Sequence, residues 1–316
     1  MAIPSYPKIV VIGAEGLLGS EILRFLSQGP YNVKGVTHKE LDITRGMDVA
    51  IWLQRLSPDY IINCAALSDV DYCEEHSEEA FQVNAEGVKN LCAPLLEDIP
   101  ATLIHFSTDY VFDGKKGKPY MEGDPVNPLN HYAESKLQGE EYVGRLLPDR
   151  SIILRVQWLY GPRGNNFSTK LVREITQGGF SSYSLLTDRI GSPTPVTELA
   201  KAVDVLIHTE KRSKLYHLSS SEFCSWFEFG KTLFDLNGIS NSLSFIHSVK
   251  NKDLNRPAMR PFNTTFSCDL FKKETGFNIA SWKECLGGVL QEIKNEIALD
   301  KKKVSLHPNS AFQGLP

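Results

Sequence analysis

The stretch Lys8-Ile-Val-Val-Ile12-Gly13-Ala-Glu-Gly16-Leu-Leu-Gly19 decides the fold. Its first half is a short apolar run ending in glycine, the pattern of a strand buried on both faces. Beyond it, apolar side chains fall at Leu17, Leu18, Ile22, Phe25 and Leu26 with a helical period, and Gly29-Pro30 stops the helix. Three glycines between the two elements permit a tight turn. They also bring free N–H groups and the positive end of the helix dipole close to an anion. Gly13, Gly16 and Gly19 are thus candidate pyrophosphate contacts, although the spacing is GxxGxxG rather than the usual GxGxxG fingerprint.

Outward from this loop the chain alternates strand and helix. Strands are expected at residues 32–37, 60–64, 102–107 and 151–156, and helices at 44–56, 77–96 and 132–147. That rhythm predicts an α/β fold, a Rossmann-like doubly wound parallel sheet whose ligands lie along the C-terminal edge of the strands. After about residue 157 the rhythm breaks, with Pro162, Gly164, Gly178, Gly179, Gly191, Pro193 and Pro195 dividing shorter elements. Helices are expected there at 197–208, 225–237 and 282–298. The expected organisation is a dinucleotide-binding domain over 1–157, to which about 195–218 returns. A smaller C-terminal substrate-binding lobe covers 158–298, and a solvated tail covers 299–316.

Composition narrows the partners. Of 316 residues, 41% are hydrophobic and 23% charged, and 34 basic side chains face 38 acidic ones for a net charge of −4. This is an ordinary globular balance with no field for gripping a polyanion, so no nucleic acid is expected. No apolar run approaches the ~18 residues that span a bilayer, so no membrane is expected. Met1-Ala2-Ile3-Pro4 has no basic segment before an apolar stretch, so no signal peptide is expected. Six cysteines with no CxxC pair read as reduced thiols of a cytoplasmic protein. The acids Asp69, Asp71, Glu74, Glu75, Glu78 and Glu79 gather at a helix start, where the dipole explains them, and no metal site is expected. Trp226-Phe-Glu-Phe229 reads as packing of the lobe.

Three features carry chemistry. Tyr132-Ala-Glu-Ser-Lys136 stacks a phenol and an ammonium one turn apart on one helix face. Their reference pKa values, ~10 and ~10.4, put neither near neutrality, but an ammonium beside a phenol lowers the phenol's pKa and suits it to protonate a forming alkoxide. Thr108, at the end of the fourth strand, faces the ligand crevice and can polarise a carbonyl; it can equally be a turn hydroxyl. The second strand ends with His38-Lys39 and no acid where a ribose 2′-hydroxyl is normally held. A basic pair there accommodates a 2′-phosphate, which favours NADPH, and a solvated loop lysine fits as well.

Taken together, these residues resemble the extended short-chain dehydrogenase/reductases and, within them, the dTDP-4-dehydrorhamnose reductase family. The resemblance runs from about Ile9 to Leu290. It rests on the glycine loop, Leu41-Asp-Ile-Thr44, Asn63-Cys-Ala-Ala-Leu-Ser-Asp-Val-Asp71 and Val83-Asn-Ala-Glu-Gly87. It continues through Ser107-Thr-Asp-Tyr-Val-Phe-Asp-Gly114, Pro128-Leu-Asn-His-Tyr132 to Glu140, Trp158-Leu-Tyr-Gly161, Asn165-Asn-Phe167, Gly191-Ser-Pro-Thr194 and Arg260-Pro261.

The resemblance implies NADPH-dependent reduction of a nucleotide sugar's 4-keto group, with NADH left open. It implies that Thr108 orients the keto oxygen, Tyr132 protonates it, and Lys136 lowers the tyrosine pKa and holds the nicotinamide ribose. Gly13, Gly16, Leu17, Leu18 and Gly19 would surround the pyrophosphate and His38 and Lys39 the 2′ end. Asp42 and Ile43 would lie near the adenine, and Ala65, Ala66 and Leu67 along the cofactor's middle. Thr108, Asp109, Trp158, Asn166 and Arg260 fall on the substrate side.

Three departures, Ala133 after the tyrosine, Gln157 before Trp158 and Arg189 before Ile190-Gly191, leave the exact sugar and its stereochemistry open. The sequence leaves three further readings open: a reductase of another keto-sugar nucleotide, an epimerase, and a non-catalytic subunit resembling the regulatory β subunit of methionine adenosyltransferase. A homodimer is also left open.

Overall fold

Alternating side chains of each strand feed two separate cores, and this fixes the architecture. The computed structural model describes residues 6–177, 182–210, 214–239 and 242–306; the readings made on Met1–Pro4, Gly178, Gly179 and residues 307–316 lie outside them. The central strands are β1 (Lys8–Ile12), β2 (Asn32–Val36), β3 (Tyr60–Asn63), β4 (Thr102–Thr108), β5 (Ser151–Val156) and β6 (Leu215–Leu218). They form one six-stranded sheet in the order β6-β5-β4-β3-β1-β2, parallel throughout. The order reverses between β1 and β3, so the crevice where a ligand is expected opens at their C-terminal ends.

On one face, Ile9 and Val11 of β1 join Ile62, Ile104, Leu154 and residues of helices α1 (Leu17–Leu26) and α8 (Val196–His208). On the other, Val10 and Ile12 join Ile61, Leu103 and Ile153 with helices α2 (Gly46–Leu56), α5 (Gly87–Glu97) and α6 (His131–Leu146). A strand buried on both faces cannot alternate polar and apolar residues, which is why β1 reads as an unbroken apolar run.

Three differences from the sequence reading bear on the site and the lobe. The helix expected over 77–96 is three pieces: α4 (Ser77–Phe81), a π-turn at Gln82–Glu86, then α5. The side chain of Asn84 causes the break, donating to Leu67 O at 2.9 Å and to Ser135 Oγ at 3.0 Å, and accepting from Leu67 N at 2.9 Å. A short helix α3 (Val70–Glu75), capped by Asp69, precedes it. The helix expected to end at Ala298 is α11 (Trp282–Leu306), so the expected tail begins as helix. The acids at the start of α3 and α4 have side-chain partners beyond any dipole effect: Asp71 holds Arg260, Glu74 accepts from His131 N, and Glu79 accepts from Tyr72 Oη.

The second half builds its own core from helices α7 (Phe167–Thr176), α9 (Trp226–Leu236) and α11, with Tyr160, Phe229, Phe234 and Trp282 at its centre. A helix α10 (Asp269–Thr275) packs against β6 through Phe271 and Tyr216. Among the described residues no helix is long and apolar enough to cross a membrane.

Helix α6 sits unusually close to the π-turn: a Cβ added at Gly139 would lie 2.4 Å from Asn84 O. Gly139→Ala is expected to cost about 1–3 kcal/mol by overpacking, whereas Gly144→Ala, where a Cβ meets nothing within 4 Å, is expected to stabilise the helix by up to about 1 kcal/mol. Urea unfolding of both variants tests this; equal effects would show that α6 is not seated by that contact.

Candidate active site

The glycine loop is built for close approach. Gly13 has φ +77°, and a Cβ on it would lie 2.7 Å from Ala65 N; one on Gly19 would lie 2.2 Å from Gly13 O. These two glycines let the turn, helix α1 and the start of the β3 loop pack together. Gly16 differs: it caps α1 with φ −74° and no side-chain cap, and a Cβ there would meet only Gly13 O, at 3.4 Å. Its bareness keeps the space above the free N–H groups of the first helical turn clear, as an approaching pyrophosphate requires.

That N-terminus forms one end of a cavity of about 630 Å³. Of the residues singled out from the sequence, it brings together Gly16, Leu17, Leu18, Gly19, Ala66, Thr108, Asp109, Tyr132, Lys136, Trp158 and Asn166. Helix α6 aims the reactive pair. Asn130 caps it, accepting from Ala133 N at 2.9 Å and donating to Met259 O at 2.7 Å, so the first turn, with Tyr132, is fixed at the mouth of β4. Thr108 caps the short 3₁₀ turn that follows β4, accepting from Tyr110 N at 3.2 Å, and its hydroxyl also bonds Tyr132.

The electrostatics correct the expectation that Lys136 lowers the tyrosine pKa. Burial holds the Tyr132 phenol above its ordinary value; the Thr108 hydrogen bond opposes this, and nearby Asp109 reinforces it. Lys136 instead turns its ammonium to Phe106 O at 2.7 Å, and burial lowers its own pKa to about 8 against the pull of Glu140. The phenol is therefore held protonated. Asp109, also buried, is pushed up to about 6 although Thr264 donates to its carboxylate.

Other expected residues lie elsewhere. Arg260 is nine-tenths buried and bound at 2.8 and 2.7 Å to both carboxylate oxygens of Asp71, away from the cavity lining. Its guanidinium is thus paired with a carboxylate of the same chain. Asn166 lines the cavity, but its amide is committed to capping α7: it accepts from Ser168 N and Thr169 N and donates to Gly161 O and Arg163 O. Ile43 is core, pressed against Gly87. Gly13, Ala65 and Leu67 shape the loops behind the cavity, Leu67 through Asn84. His38, Lys39 and Asp42 line a neighbouring surface cavity of about 540 Å³ that also has Arg45 and Arg55 in its wall.

The sequence reading missed several lining residues. Ser107 Oγ is buried without a partner in the main cavity; its position one residue before Thr108 was the available signal. Tyr110 packs edge-on to Tyr132 at 5.9 Å and accepts from Arg189 Nη2 at 2.6 Å. Gln157, noted as a departure, spends its amide on Ser192 N and Thr264 O. Trp226, read as lobe packing, faces the cavity; nothing in its helical spacing could show that.

Known proteins share the fold and much of the sequence. The family described as RmlD substrate binding domain matches residues 7–295. The spore coat polysaccharide biosynthesis protein SpsK of Bacillus subtilis (strain 168) is 35% identical, over 90% of this chain and 97% of its own. A dTDP-4-dehydrorhamnose reductase from Clostridium acetobutylicum superposes with a TM-score of 0.84 at 34% identity, covering 91% of this chain and 99% of that one. The dTDP-4-dehydrorhamnose reductase of Bacillus anthracis, solved in complex with NADP, also superposes with a TM-score of 0.84, at 33% identity and with 91% and 99% coverage. A match across nearly the whole chain, with relatives a third identical, places this protein in the dTDP-4-dehydrorhamnose reductase family, whose shared unit is the RmlD substrate binding domain.

Proposed function

We propose that the protein reduces the 4-keto group of a dTDP-4-keto-6-deoxysugar with NADPH, converting dTDP-4-dehydro-L-rhamnose to dTDP-L-rhamnose for polysaccharide or deoxysugar biosynthesis. One observation carries this reading beside the family: Thr108, Tyr132 and Lys136 converge in a cavity that ends at the uncapped N-terminus of α1. Residues 1–157 with about 195–218 form the cofactor half, and 158–298 supply most of the substrate side. The six free cysteines support a reducing, cytosolic setting.

The residues present fit a dinucleotide. Gly16, Leu17, Leu18 and Gly19 would hold its pyrophosphate, Ala66 its middle, and Lys136 the nicotinamide ribose, while His38 and Lys39, with Arg45 beside them, suit a 2′-phosphate. NADPH supplies the hydride when bound. The chain's own residues do the rest. Thr108 and Tyr132 hydrogen-bond the keto oxygen. Because burial keeps the phenol protonated, its Oη proton is available where negative charge develops on that oxygen. The Thr108 hydroxyl, which favours the phenolate, then eases the loss. Asp109 and Trp158 line the same cavity, where Asp109 would accept from a sugar hydroxyl and Trp158 would give apolar contact.

Mixing the protein with dTDP-4-keto-L-rhamnose and NADPH, following absorbance at the nicotinamide band and identifying the product by NMR, tests the reading directly. An epimerase leaves NADPH unconsumed, and a non-catalytic subunit oxidises none with any keto-sugar nucleotide. Tyr132→Phe is expected to lower kcat by roughly 10²–10⁴-fold with NADPH affinity nearly intact; near-wild-type turnover would contradict the assigned proton donor. The Lys136 ammonium is lost as pH rises through about 8. The kcat/KM for reduction should therefore fall on the alkaline side near that value, and Lys136→Arg, a cation at every accessible pH, should remove the limb whatever its absolute rate.

A further inference from the structure

Part of the cavity's lining is aromatic, and it contains a strained residue. Trp158 has φ +45°, a region that side chains other than glycine rarely occupy and that persists only where the surroundings enforce it. Three contacts do so. Its carbonyl accepts from Thr194 N at 3.0 Å. Gly191 leaves room for the indole, since a Cβ there would lie 2.3 Å from the ring. The third contact is Trp226, the first residue of α9, whose indole stacks on that of Trp158 with centroids 4.4 Å apart and planes 21° from parallel. Phe167 closes edge-on against Trp226 at 5.8 Å and 86°. Trp158 and Trp226 line the same cavity as Thr108 and Tyr132, so its lining is part polar and part aromatic. A pyranose has this division, with hydroxyl and keto oxygens at its rim and C–H bonds on its faces.

Resting on the function proposed above, we infer that Trp226 is a positioning residue. It holds the Trp158 indole against the sugar ring of the bound nucleotide sugar, so that the 4-keto carbon meets the Thr108 and Tyr132 hydroxyls. The wall serves the sugar and not the nucleotide, because it lines the same cavity as the hydroxyls that must reach the sugar's carbonyl.

The test uses the full chain and two ligands, dTDP-L-rhamnose and dTDP, measured by calorimetry with wild type, Trp226→Leu and Trp226→Phe. Trp226→Leu should weaken dTDP-L-rhamnose binding by roughly 3- to 10-fold, the range expected for one lost aromatic pair, and leave dTDP affinity unchanged. Trp226→Phe, which keeps a stacked ring, should restore most of the loss. In turnover, Trp226→Leu should raise KM for the keto sugar more than it lowers kcat. Circular dichroism of the wild type should show an exciton couplet from the paired indoles, absent in both variants. Equal loss for both ligands overturns the proposal, as does unchanged sugar affinity in Trp226→Leu, equal weakening by Leu and Phe, or a wild-type spectrum without the couplet. The binding measurements need no turnover. A protein that binds in the expected pattern yet consumes no NADPH overturns the reaction and leaves the role of Trp226 standing.

Discussion

A buried ammonium ties the catalytic helix to the sheet. Lys136 Nζ donates to Phe106 O at 2.7 Å, joining α6 to β4 just before Thr108. A cation this deep is costly unless hydrogen-bonded, so helix and strand hold one relative position. That position sets Tyr132 and Thr108 side by side. The close seat of Gly139 on Asn84 O fixes the helix's height, and the Asn130 cap fixes its first turn. Behind Lys136, Glu140 grips Arg155 of β5 through contacts of 2.9 and 2.6 Å, so a buried charge pair also locks α6 to the next strand. Without these ties the phenol would be a tyrosine on an amphipathic helix.

The sheet was legible in the sequence because it is periodic and local. Apolar runs at β1 and β3, each followed by a helical pattern, state a parallel α/β order without any tertiary information. The phosphate loop was legible for the same reason, since its glycines stand between two readable elements. What remained hidden depends on contacts far apart in the chain. The π-turn at Gln82–Glu86 follows from Asn84 reaching back to Leu67 and across to Ser135. Arg260 read as a cation for a diphosphate, and its pairing with Asp71, 189 residues away, is invisible in either neighbourhood. Asn166 read as a ligand because of its motif, yet its amide has the bonding pattern of a helix cap.

The pKa logic of the reactive pair shows the same limit more sharply. Spacing placed the phenol and the ammonium on one helix face, and nearness suggested mutual perturbation. In the folded chain desolvation dominates both groups, raising the phenol and lowering the ammonium. Each group is moved toward its neutral form, which is what burial does to a charge that is not paired. The helix spacing brought both residues to one cavity, and burial reversed the expected sign for Tyr132.

The two halves of the molecule are fastened together at the phosphate loop itself. Glu21 of α1 is fully buried and held by Arg24 and by Arg163, at 2.9 Å, from the loop that opens the second half. Arg163 also reaches Glu296 of α11 at 2.7 Å. Next to it, Gly164 comes so near Leu17 that a Cβ would stand 3.3 Å from its Cα. A carboxylate taken out of water needs its cations in place, so separating the lobe from α1 would strip Glu21 of one of its two partners. The segment carrying Trp158 is thereby anchored to the helix whose N-terminus faces the pyrophosphate. Recognition and chemistry then sit at a set distance before any ligand arrives, and binding need not organise the two halves in order to align the reacting carbon with the phenol.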